Sequence, residues 1–173
     1  MTDTNKNMPD KDEVLQSEDE LLRGLIEAGN FKNDEAFRRK IEIRRGERVL
    51  FSFTVRPLDE EEEISCYRRA TEQKVHPNGK KFGTIDGRTD SAKMRSLKIY
   101  TATIDEDKKR IWDNAEFKKR FGVITGVELI DKVLRTGDKD AVLAVIDEIS
   151  GSGSGENGEV GAEEPTMEEW AKN

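Results

Sequence analysis

Apolar and polar positions alternate in two different periods along this chain. Between residues 38 and 58, "RRKIEIRRGERVLFSFTVRPL", Ile41 and Ile43 alternate with charged residues. Gly46 supplies a turn, and Val49, Phe51, Phe53 and Val55 alternate on the return. A period of two with a glycine between the halves predicts a β-hairpin with one apolar face. Two strands alone are marginal, so helices are expected to cover that face.

Elsewhere the spacing is helical. "SEDELLRGLIEAG" places Leu21, Leu22, Leu25 and Ile26 on one side, with Ser17 as N-cap, Glu20 three residues on and Gly29 as terminator. Some three turns do not hold alone in water, so this apolar side needs a partner, within the chain or outside it. Pro57 ends the second strand. Asp59 and Glu62 open a helix expected to run to about residue 73, its acidic start lying over the positive end of the helix dipole.

A polar loop with three glycines and one proline, residues 74–90, has room for a small hairpin. Asp90 then caps a helix carrying Met94, Leu97, Tyr100, Thr101 and Ile104 at helical spacing. "DEDKKRIWDN" sets Ile111 and Trp112 in a charged segment, and "AEFKKRFG" puts Phe117 and Phe121 one turn apart before Gly122. Thr125 and Glu128 form a capping box for a helix with Val127, Ile130, Val133 and Leu134 inward and Gly137 closing. The next helix turns Val142, Val145, Ile146 and Ile149 inward and is closed by Gly151. Two capped helices joined by "TGDK" predict an αα-hairpin. The fold class is α+β, one β-hairpin packed with a helical majority between flexible acidic tails.

The division expected along the chain is an acidic N-terminal extension with a short helix (1–35), an α+β domain (36–150), a Gly/Ser-rich linker (151–165) and a short amphipathic tip (166–173). Residues 1–16 read as disordered. In the tip, Thr166 and Glu169 repeat a capping box before Trp170. That helix is too short to form free in water, so order there would mean docking.

Composition changes this picture in one respect. Of 173 residues, 39% are charged and only 34% hydrophobic, so part of the chain stays outside any core. The net charge of −7 is unevenly placed. Residues 1–36 hold four basic against ten acidic side chains, 37–57 hold seven against two, and 151–173 hold one against six. Acidic ends and a basic middle can attract one another, in a salt-dependent way. No apolar run approaches the about 20 residues of a membrane span, and the N-terminus lacks a signal-peptide layout. A lone cysteine fits a reducing compartment, so a cytoplasmic location without a membrane partner is expected.

Candidate chemistry is sparse. One histidine, His76, and one cysteine, Cys66, fall short of a zinc ligand set, and nothing requires them to meet as a nucleophile pair. Consecutive carboxylates at 60–63 point different ways on a helix. "NGKKFGTIDGR" lacks the spacing of a phosphate-binding loop. The expectation is no enzyme, no cofactor and no metal. A basic strip (Lys74, Lys80, Lys81, Arg88, Lys93, Arg95, Lys98) leaves one alternative, a small nucleic-acid-binding or regulatory protein using residues 74–98. Low aromatic content and overall acidity weigh against nucleic acid as a partner.

Four segments, in order, carry a resemblance: "FSFTVRPLDEEEEISCYRRAT", "SLKIYTATIDEDKKRIWDN", "FGVITGVELIDKVLRTGDKDAVLAVIDEISG" and the terminal "MEEWAKN". From about residue 35 to the end, the chain resembles the XkdN-like tail assembly chaperones of long-tailed bacteriophages and prophages. The resemblance implies a non-structural assembly factor that holds the tape-measure protein soluble while tube subunits polymerise around it, and that then leaves the particle. It also implies a second, longer product made by ribosomal frameshifting, whose extension engages the tail-tube protein. Lys172 and Asn173 can be encoded by AAA AAC, which after a codon ending in A completes a slippery heptamer. A structural tail component is the remaining alternative. Self-association is open to such a protein, because many modest contacts along a lattice suit a coating role. The expected partner-binding residues are Leu21, Leu22, Leu25, Ile26, Ile111, Trp112, Met167 and Trp170.

Overall fold

The computed structural model describes residues 11–151. The linker and the tip, with Met167 and Trp170, lie outside the described residues. The fold is α+β, as expected: seven α-helices and two separate antiparallel hairpins among the described residues.

The first helix, α1 (Lys11–Gly29), is longer than its sequence signal. Ser17 is interior to it rather than its N-cap, and residues 11–16, expected to be disordered, continue the helix. A 3₁₀ turn at Glu35–Phe37, capped by Asp34, leads into β1 (Arg39–Arg45). β1 pairs with β2 (Arg48–Val55) in the register Ile41 to Phe53 and Ile43 to Phe51, across the turn that Gly46 makes with φ of 59°. A bulge after Ile43 breaks the alternation. Phe53 and Val55 are buried, but Val49, expected on the same apolar face, is exposed.

Asp59 and Glu62 form the expected capping box on α2 (Glu60–Ala70), and Arg56 holds the Glu62 carboxylate with two hydrogen bonds. The helix stops at Ala70, not near 73, because Thr71 adopts an extended conformation and starts the second hairpin. There β3 (Thr71–Val75) pairs with β4 (Thr84–Thr89), the small hairpin for which the loop had room.

Asp90 caps α3 (Ser91–Ala102) by accepting from the backbone N–H groups of Ala92 and Lys93. This helix is central, packed by α2 on one side and by α6 and α7 on others. It therefore buries Ser96, Leu97, Ile99 and Ala102 rather than a single stripe. A short turn, α4 (Asp105–Asp107), runs into a π-helical turn, Lys108–Trp112. Then come α5 (Ala115–Phe121), ended by Gly122 in the left-handed region, α6 (Gly126–Val133) and α7 (Thr136–Ile149).

The α6–α7 pair departs from expectation. Gly137 does not close α6; Leu134 does, and Gly137 lies in the first turn of α7. With only Leu134 and Arg135 between them, the two helices turn sharply and each packs on α3 more than on the other. Their apolar faces converge on the inner face of the β1–β2 hairpin to make one core of Ile43, Phe53, Val55, Ile99, Trp112, Leu129, Ile130, Val142 and Ile146. Cys66, Ala70 and Leu97 form a smaller cluster between α2 and α3.

Candidate partner-binding surfaces

Trp112 is not the exposed anchor that its charged sequence context suggested. It is fully buried, with Nε1 donating to Thr103 Oγ1 at 3.1 Å and its ring edge-on to Phe53 at 5.3 Å. The cause is the π turn. Asp107 is buried and accepts from the Thr54 backbone N–H at 2.7 Å, while Arg110 bridges Asp107 to the Ser52 carbonyl. The outer edge of β2 is also covered, by the Val55–Thr103 bridge and the hydrogen bond from Ile104 N–H to the Thr54 carbonyl. Those ties aim Trp112 inward and leave Ile111 half-buried beside it.

What remains open next to Trp112 is a groove of about 220 Å³, lined by Phe51, Ile111, Trp112, Phe117, Phe121, Leu129 and Val133. Its lining is wholly apolar. Phe117 and Phe121, one turn apart on α5, form a rim that is half exposed, and Ile124 just beyond is 83% exposed. The Thr125–Glu128 capping box fixes how α6 leaves this rim. Gly126 permits the approach: a Cβ there would lie 2.7 Å from Tyr100 Cε2 and 3.0 Å from the Trp112 carbonyl oxygen. Burial, and the hydrogen bond Tyr100 donates to Asp113, push the Tyr100 hydroxyl up to about 12, so it stays a neutral donor. The elements that line the groove also carry basic groups. Lys109 on the π turn and Lys118, Lys119 and Arg120 on α5 form no ion pair among the described residues.

Of the expected partner-binding residues, the structure brings Ile111 and Trp112 together in this groove. Leu21, Leu22, Leu25 and Ile26 lie elsewhere, on α1, where every residue from Glu18 to Gly29 is exposed. Phe117, Phe121 and Ile124 were not among the residues expected to meet a partner. The signal was present, as two phenylalanines at i and i+4 on a helix too short to bury both, set among lysines.

Three of the seven residues of the basic strip are paired with carboxylates. Lys98 bonds Asp147 and pairs with Glu63, Arg95 bonds Asp140, and Lys74 pairs with Glu72. Arg69, Arg88 and Lys93 line an open cleft of about 750 Å³ at the foot of β3–β4, shared with Glu72 and Asp90. His76 sits in the hairpin loop, accepting from the Asn78 backbone N–H, and Cys66 is buried beside Thr101. Among the described residues no group of three or more His, Cys, Asp and Glu could hold a metal ion, and no helix is long and apolar enough to cross a membrane.

The model of one protein family, the phage XkdN-like tail assembly chaperone proteins, matches residues 16–164 of the chain. No curated protein and no solved structure matches it.

Proposed function

The chain belongs to the XkdN-like phage tail assembly chaperones, and from that premise we propose that it binds and solubilises the tape-measure protein. The groove beside Trp112 takes amphipathic helical segments of that protein, apolar side inward. The observation that carries this reading is the half-exposed aromatic rim, Phe117 and Phe121, set over a wholly apolar groove against the buried Trp112. A tape-measure protein is a long helical ruler, so modest sites of this kind act many times along one client.

The role is non-enzymatic and belongs to the host cytoplasm, where tails assemble. Residues 36–150 form the chaperone body, residues 151–165 a spacer, and Met167 and Trp170 of the tip a further contact. A longer frameshifted product recruits tail-tube subunits through its extension, and neither product stays in the finished particle. The pairing of Lys98, Arg95 and Lys74 with carboxylates favours a protein client over nucleic acid.

Co-expression tests the central claim. Tape-measure protein made with the wild-type chain should stay in the soluble fraction. Made with the double variant Phe117→Ser/Phe121→Ser, most of it should pellet while the variant itself stays folded by circular dichroism. Equal solubility with both would sink the groove as the client site, and finding the chain in purified particles would favour a structural tail component.

A further inference from the structure

Two of the apolar surfaces that the described residues leave exposed have opposite shapes and charges. One is convex: α1, about 28 Å long at the usual helical rise, with Leu21, Leu22, Leu25 and Ile26 each at least 55% exposed. The other is concave: the groove between β2, the π turn, α5 and α6. Six acidic and two basic residues occur along α1, whereas α5 has three basic residues and one acidic one. We propose that α1 of one copy of this chain seats its apolar face in the groove beside Trp112 of a second copy.

The helix does not fill its own groove, and its root is fixed elsewhere on the body. Hydrogen bonds from Asn30 N–H to the Glu27 carbonyl and from Asn33 N–H to the Asn30 carbonyl close a tight turn after Gly29. Lys32 then bonds Asp59 and pairs with Glu62, fixing that turn to the start of α2. Asp34 caps the following 3₁₀ turn. The root therefore lies at the Arg39–Val55 end of the first hairpin, while the groove opens at Phe51, four residues along β2. Held there, α1 leaves the body without burying a single described side chain.

A helix entering a groove is a contact between unlike surfaces. Each copy offers one of each, so the association extends from copy to copy or closes on itself, as heterologous contacts do. Charge steers it: the acidic α1 approaches the basic α5, and assembly weakens with salt. This deepens the client reading in one respect, since α1 then occupies the groove in place of a client helix until one displaces it.

Sedimentation velocity of the full chain, with no client present, tests the contact. The wild type should form concentration-dependent oligomers. Leu25→Glu and Phe121→Glu replace exposed side chains, so each should keep its far-UV circular dichroism and melting temperature. Each should nevertheless weaken association at least about tenfold. An equimolar mixture of the two variants should form a one-to-one complex and stop there, because one intact helix meets one intact groove. A wild-type chain that stays monomeric would overturn the proposal. So would a Phe121→Glu chain that assembles normally, since α1 would then be pairing with some other surface. The client reading fails separately: a Phe121→Glu chain that no longer assembles but still keeps tape-measure protein soluble would remove that reading and leave this one standing.

Discussion

Two helices of this protein, α1 and α7, carry similar apolar stripes and meet opposite ends. In α7, Val142, Ile146 and Ile149 are buried against α3 and the hairpin. In α1, Leu21, Leu22, Leu25 and Ile26 all face outward. The stripe states that a helix must bury a face to be stable; it does not name the surface. For α7 the surface is supplied two residues after α6 ends, when both helices fall onto α3. Beyond α1 the chain enters a turn tied by Lys32 to Asp59, and no surface of its own body is offered. A chaperone needs both arrangements, a core that closes and a face that does not.

The contrast can be broken most directly by removing one stripe residue from each helix. Ile146→Ala should destabilise the fold by about 2–5 kcal/mol, because Ile146 is wholly buried and the cavity left behind cannot collapse fully. The melting temperature should fall by about 10 °C. A loss of only a degree or two would mean that α7 is as loosely held as α1.

The second difference is in how the helices are held at their ends, and acid sharpens it. Arg45 donates two hydrogen bonds to Asp138 at the start of α7, and those bonds hold the Asp138 carboxyl below the usual aspartate range. A depressed carboxylate stabilises the fold fully above its unfolded-state value, near 3.9. That contribution is lost as the pH falls through the lower folded-state value. Hydrogen exchange should therefore show the first turn of α7 loosening as the pH falls below the usual aspartate range, with Asp138→Asn removing the pH dependence. The same dependence persisting in the variant would assign it to another carboxylate.

The smallest effect is expected for Leu25→Ala. With the side chain 62% exposed, thermal unfolding of the monomer should shift by less than about 0.5 kcal/mol. A larger loss would show that α1 docks on its own body and would erase the contrast between the two helices.

Local signals were legible at most caps, though the Ser17–Glu20 start lies inside α1 and Gly137 inside α7. The Asp59–Glu62 and Thr125–Glu128 capping boxes and the caps at Asp90 and Gly122 all stand where side-chain chemistry put them. The β1–β2 hairpin also follows its alternation, except past the bulge at Ile43, where Val49 turns out. The candidate site was only half legible. Ile111 and Trp112 were picked out by being apolar in a charged run, yet whether Trp112 faced a partner or the core depended on Asp107 reaching Thr54, a contact between residues 53 positions apart. Phe117 and Phe121 were legible as a helix face but not as a rim, because a rim exists only relative to α6 and β2.

By itself, then, the sequence determined the α+β class, the starts of α2, α3, α5 and α6 and the excess of apolar faces over what one small core can absorb. These depend on neighbours within a few positions: spacing, caps and turns. The tertiary structure decided which faces were absorbed. It brought α6 and α7 together on α3 instead of against each other, turned Trp112 inward through a π turn and left a groove beside it. Those outcomes depend on residues far apart in the chain competing for the same surfaces, and no local pattern records who wins.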